Sequence, residues 1–429
     1  MTKRALELLL WACSAGPMLL HCSEVPNTPQ ALSAAAIEAY QRKDFAGFLT
    51  YERRALALQP GNPRFIYNVA CGESLTGHTG EAVKLLNQLV DRKLDLGAET
   101  DDDFSALRKT PEWTAFVLRL VELRKPVIHS DVAFRLSDPT LMAIGITVDQ
   151  KNGDTYIASL RERKIVRRTK AGEASDFVRE GQDGFLAGAS LAIDAARHVI
   201  FASSAAVPFM RGYREEDKGK SGLFVFGLDT GTLQRKAFLP ADGKAHFLNA
   251  LAIDHEGNAY VSDSLTPGIY RLRKGSSELE VFVEPGVFAS TQGLAFSDDE
   301  RTMYVADYSA GLWAVDMASK ARRRIEGPSD VWLGGLDGLS RAGNSFIAVQ
   351  IGVRPERVLR LELDEKGQRI SVVSILEMNH PEYDGPIQGA VEGHSFIYVA
   401  NSQLRLGNGE TGAYAEEKAR PTVVLRLPF

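Results

Sequence analysis

Four polar residues open successive copies of one sequence pattern: Asn249 in "NALAIDHEGNAYVSDS", Gln292 in "QGLAFSDDERTMYVAD", Asp337 in "DGLSRAGNSFIAVQI" and Gln388 in "QGAVEGHSFIYVANS". Asn, Gln and Asp side chains carry hard oxygen donors, so their convergence would suit a hard cation. The same amides would equally satisfy buried backbone groups or order water in a channel. Near them, Asp263 and Asp307 end the segments "VSDS" and "VADY", as turn caps or as lining of a ligand pocket. His246 is either a plain loop histidine or a proton-transfer group. Tyr308, Arg211 and Arg214 are candidate rim contacts for a ligand.

The elements that must position these residues are short strands. After Pro126 the helical spacing of apolar residues gives way to alternating Val, Ile, Tyr and Phe bounded by Gly, Asp and Asn. Two further copies of the pattern open at Ile144 and Ala189, making six, which recur at intervals of 43 to 60 residues. That is close to the length of a four-stranded blade, and it predicts a mainly β chain with a six-bladed β-propeller over 126–429. The small residue after each opening position lets neighbouring blades approach a crowded axis. The last copy has one further strand, "PTVVLRLPF", so "VIHSDVAFRL" near the front is expected to supply the missing edge and close the ring. Long insertions, Ser203 to Ser221 and Asn401 to Arg420, fall between second and third strands, on the face where the repeats open. That face is the expected mouth for a small-molecule ligand or substrate.

Residues 29–125 read as helices, four of them, with short Gly, Pro or Asn breaks. The stretch "YERRALALQPGNPRFIYNVACGESLTGHTGEAVKLLNQLV" resembles tetratricopeptide repeats, with Ala55, Pro60, Tyr67, Ala70, Gly77 and Ala82 at small, aromatic and turn positions. About two such units fall below the roughly three usually needed for an independent stack, and a protein partner for this module is expected if the chain is a scaffold. Cys71 reads as a small buried packing residue, and the acidic turn Asp101 to Asp103 as a helix cap rather than a metal loop. Residues 1–24 have the order of an export signal, with Lys3 and Arg4 before Leu8 to Ala12, and imply a periplasmic or extracellular location. Cys22 is a candidate site of lipid attachment. The apolar run is broken by Glu7 and Pro17 and is too short to span a bilayer. With 50 Lys and Arg against 55 Asp and Glu, the net charge of −5 supplies no general field for a phosphate backbone, which argues against nucleic acid as a partner.

Residues 130–429, most closely in "FLNALAIDHEGNAYVSDS" and "LDGLSRAGNSFIAV", resemble the gluconolactonase/regucalcin (senescence marker protein) family of six-bladed propellers. The resemblance implies a divalent metal at the axis, often calcium, held by one Glu, two Asn and an Asp. By position Asn249 matches the first Asn, and Asp337 matches the Asp that also serves as the family's base. Gln292 replaces the second Asn, and Ile144 stands where the Glu belongs. Two functions follow: metal-assisted lactone or ester hydrolysis with Asp337 helping to activate water, or a non-catalytic scaffold whose mouth and helices bind a ligand or protein. "GYREEDKGKSG" imitates a phosphate loop, but Arg214 occupies the first Gly position and the context is a loop between strands.

Overall fold

A computed structural model describes residues 25–429. The expectations of an export signal and of lipid attachment at Cys22 fall on residues 1–24, outside the described residues. No described helix is long and apolar enough to cross a membrane. The chain divides into two compact units, helices up to Lys125 and sheets from Pro126.

The helical unit contains α1 (Pro29–Gln41), α2 (Phe45–Leu58), α3 (Pro63–Leu75), α4 (Thr79–Asp91) and α5 (Pro111–Leu123). Five α-helices therefore stand among the described residues where the spacing predicted four. Their starts follow from local chemistry. Thr28, Asn62 and Thr110 each cap a helix whose first residue is proline, and Asp44 caps α2 by accepting from the Gly47 amide at 2.9 Å. Between α4 and α5 the chain runs through three single-turn 3-10 helices instead of one continuous helix. Asp101 caps the second of these, and its turn is buried rather than solvated: the Tyr67 hydroxyl donates to Asp101 at 2.8 Å and the Tyr40 hydroxyl to Asp103 at 2.6 Å. Cys71 is a free, fully buried thiol beside these two carboxylates, and burial holds it protonated.

The second unit is a six-bladed β-propeller of six four-stranded antiparallel sheets. The innermost strands of blades 1 to 6 are Ala143–Val148, Ala187–Asp194, Leu248–Ile253, Thr291–Phe296, Leu336–Ala342 and Gly389–Glu392. In blade 6 the outermost strand is Asp131–Leu136, which pairs with Thr422–Pro428, so the two ends of the propeller sequence share one sheet and no blade is left short. Each sheet buries apolar side chains on both faces against its neighbours. The cluster of Phe185, Phe224, Phe226, Ile200 and Tyr156 between blades 1 and 2 is representative.

The small residues after the opening positions have a measurable reason. A Cβ on Gly145 would stand 2.4 Å from the Ala189 carbonyl oxygen, and one on Gly293 would stand 2.7 Å from the Leu339 backbone nitrogen. Side chains there would push adjacent blades apart. The insertions are also on the face predicted for them. The second strand of blade 2 runs on to Ala205, so its loop is 206–220, and that of blade 6 is 400–421.

Candidate functional site at the propeller axis

Pairing between the first and second strands slips by a bulge at the opening position of blades 1 to 5. The slips lie between Ala143 and Gly145, Gly188 and Leu191, Leu248 and Leu251, Thr291 and Leu294, and Leu336 and Gly338. A bulge frees one residue from the ladder and re-aims its side chain. The released positions include Ile144, Ala189, Asn249, Gln292 and Asp337. The sequence pattern located these positions but carried no sign of the bulge.

In blades 2 and 3 backbone amides freed by the bulges find partners in hydroxyls from the second strands. Ser203 Oγ accepts from the Ser190 amide at 2.9 Å and donates to the Asn249 carbonyl at 2.9 Å, while Ser262 Oγ accepts from the Ala250 amide at 3.1 Å. Both serines are fully buried. Sequence reasoning passed over them, although the repeated "ASS" and "VSDS" endings were a signal that a hydroxyl recurs there.

At the axis the amides form a directed chain. Gln388 Nε2 donates to Asn249 Oδ1 at 2.8 Å, and Asn249 Nδ2 donates to Gln292 Oε1. Asp337 is 7% exposed, and its Oδ2 has no hydrogen-bond partner. Burial pushes its carboxyl up to about 7, opposed by the amide N–H of Gln388, which donates to it. The half-buried Tyr308 stands near enough that the Asp337 charge adds to burial in pushing the phenol up to about 12. Its ring passes over Gly352, where a Cβ would lie 2.8 Å from Tyr308 Cζ.

The other named residues serve the walls. Asp263 is fully buried; one of its oxygens accepts from the amides of Phe247, Leu265 and Thr266, each at 3.1 Å, and the other faces His246 Nδ1 at 2.5 Å. His246 Nε2 faces Asp242 at 3.0 Å, and the hydrogen bond to Asp263 leads the causes that raise the imidazole above its ordinary range. Asp307 accepts from the amides of Ala289, Ser309 and Ala310, and burial still raises its carboxyl. These two carboxylates organise turns at the mouth. Arg211 binds Glu162 at 2.6 Å, while Arg214 and Lys220 both bind the buried Asp217, so the phosphate-loop imitation is an internally neutralised turn.

Asp337 Oδ2, an orphaned buried carboxylate oxygen, fits a divalent cation in kind, whereas the Asn249 and Gln292 carbonyls each already accept an amide hydrogen bond that an ion would have to share or displace. One carboxylate is few for calcium, whose affinity rises with ligand charge. A separate acidic group lies in the helical unit. Ligand atoms of Cys71, Asp101 and Asp103 stand within 4.8 Å of one another.

No protein-family model matches the chain, and no curated protein does. Solved structures do. A luciferin-regenerating enzyme superposes with a TM-score of 0.50 at 12% identity, over 71% of this chain and 96% of that one. A gluconolactonase from Xanthomonas campestris gives 0.46 at 15% identity, over 71% and 94%. Virginiamycin B lyase from Staphylococcus aureus gives 0.45 at 11% identity, over 71% and 100%. At these identities the likeness is one of fold, and the chemistry must be argued from the site.

Proposed function

We propose that the propeller mouth is a small-molecule site that hydrolyses a lactone or ester. The observation that carries this reading is the buried, unpartnered Oδ2 of Asp337 beside the amide chain of Gln388, Asn249 and Gln292. A buried carboxylate oxygen without a hydrogen-bond partner is available to a water held beside it, as a general base must be. Asp337 Oδ2 would take the proton of the water that attacks the carbonyl carbon and return it to the leaving alkoxide oxygen as the acyl C–O bond breaks, and an amide N–H of Gln388 or Asn249 that remains free would orient the ligand's carbonyl. Asp337, Asn249 and Gln292 would hold the divalent ion, calcium by the family resemblance, which supplies polarisation of that carbonyl when bound. The walls built on Asp263, Asp307 and His246 keep the mouth in shape without entering the reaction.

Calcium titration by calorimetry, followed by a lactone and ester panel with and without chelator, tests the reading. Heat of ion binding and chelator-sensitive turnover are expected, and Asp337→Asn should remove both. Absence of ion uptake together with absence of turnover would leave the scaffold reading, in which the mouth binds a ligand without converting it. The tetratricopeptide-like character of the helices and a protein partner for them belong to the same proposal, as does export. Fractionation of the native host with mass analysis of the mature amino terminus tests export and attachment at Cys22.

A further inference from the structure

The crossover from blade 2 to blade 3 runs over the mouth face from Pro240 to Ala245, between the outer strand Leu233–Phe238 and the inner strand Leu248–Ile253. All six of its residues are exposed, and among the described residues none of them makes a backbone–backbone hydrogen bond. Side chains at its far end hold it. Thr266 Oγ1 donates to the Ala245 carbonyl at 2.9 Å, and His246, 5% exposed, stands between two carboxylates. Its Nδ1 faces the fully buried Asp263 at 2.5 Å, and its Nε2 faces Asp242 of the crossover itself at 3.0 Å. The crossover in turn backs a mouth loop: a Cβ on Gly219 in loop 206–220 would stand 2.9 Å from the Lys244 carbonyl oxygen.

An imidazole carries two N–H donors only when it is charged, so both contacts are hydrogen bonds in the imidazolium alone. The neutral ring keeps one donor. Asp263 retains it, because that carboxylate is buried and its other oxygen is committed to three backbone amides, whereas the exposed Asp242 can turn to water. We infer that His246 latches the crossover 240–245 to blade 3 as an imidazolium and releases it at Asp242 when the ring becomes neutral, loosening the support of mouth loop 206–220 as pH rises. The latch works alike in a hydrolase and in a scaffold. The charged and titratable groups around the ring are Asp263 at the end of the second strand of blade 3, Asp242 and Lys244 in the crossover, and Tyr270 in the third strand, whose ring meets the imidazole edge-on at 6.5 Å. Tyr270, with Glu284 beyond the fourth strand among its charged neighbours, is pushed up to about 12, first by burial, and stays neutral. For the imidazole the hydrogen bond to Asp263 leads, burial opposes it and Asp242 adds to it, so the ring titrates above its ordinary 6.5. The latch is complete below that ordinary value and is lost as pH rises through the raised one. Asp242 stays charged throughout, held below its ordinary 3.8 first by the Lys244 amide and then by His246.

Limited trypsin digestion of the full chain at pH 6 and pH 9, with cleavage of the bond between Lys244 and Ala245 followed by mass, is the test, because cleavage in a locally opened segment tracks the open population. Asp242→Ala, at an exposed position, is digested beside the wild type at each pH so that the protease's own pH dependence cancels. At pH 6 the variant should be cut roughly tenfold faster than the wild type, as the loss of one charge-assisted hydrogen bond implies, and the ratio should fall several-fold by pH 9. A ratio that is the same at both pH values overturns the inference. Nitrogen NMR of the histidine-labelled chain is the second measurement, with the His246 signals assigned by their loss in His246→Gln. Both ring nitrogens should carry protons at pH 6 and only one at pH 9, and Asp242→Ala should lower the midpoint between them. A ring already neutral at pH 6, or still charged at pH 9, overturns the latch as well.

Discussion

Asp337 and Glu52 are buried acids with the same physical signature in different units: each has one carboxylate oxygen without a hydrogen-bond partner, and each has a carboxyl pushed up to about 7 by burial. Because burial penalises only the charged form, such a group weakens the fold as pH rises from its unfolded value toward its folded one. For Glu52 that window runs from 4.5 to about 7. The loss is on the order of 3 kcal/mol across it. Glu52→Gln, which keeps an acceptor for the Asn68 amide now donating at 2.9 Å, should make melting of the helical unit nearly flat between pH 5 and pH 8. An unchanged pH slope in that variant would place the titration elsewhere. For chelated protein, Asp337→Asn should raise the melting temperature more at pH 8 than at pH 5, in contrast to the activity it removes. That opposition of stability and function at one residue distinguishes a site acid from a structural one.

At the scale of the element, the bulged inner strand is the unit that matters. It needs a small residue after the opening position, and in blades 2 and 3 it leans on a hydroxyl of its neighbour. Gly145→Ala would force a methyl to within 2.4 Å of the Ala189 carbonyl, so a loss of roughly 1–3 kcal/mol is expected in chemical denaturation. Gly80→Ala is the control. Nothing lies within 4 Å of a Cβ there, and in the first turn of α4 the change should stabilise by about 0.4–1 kcal/mol. Ser262→Ala leaves the buried Ala250 amide without its acceptor and should cost roughly 1–3 kcal/mol. For Gly145→Ala and Ser262→Ala the effect belongs to backbone geometry around Asn249 and its equivalents, not to contact with a ligand.

At the scale of the whole molecule, blade 6 joins strands from both ends of the propeller sequence. Thr422–Pro428 is hydrogen-bonded on one side to Ser395–Val399 and on the other to Asp131–Leu136. Removing 422–429 would strip the central pairing from that blade and expose two edges at once. The expected result is loss of the cooperative unfolding transition. A truncated chain that melts as the full one does would show that the closure contributes little.

The number of blades, the closing strand, the mouth loops and the opening residues were legible in the sequence because a propeller repeats one local pattern, and period, turn residues and small residues are local properties. Ile144 and Ala189 could be seen as departures from that pattern, and the helical unit followed from the helical spacing of its apolar residues. The fifth helix was hidden because Pro111 and the turns before it look like a break, whereas in the folded unit Trp113 and Phe116 bury against it. What the tertiary structure alone decided is which polar atoms at the axis are satisfied. The amide chain through Asn249, the isolation of Asp337 Oδ2 and the serine partners of the bulges join residues distant in sequence, and hydrogen-bond satisfaction depends on distance and direction across blades, which no spacing along the chain encodes.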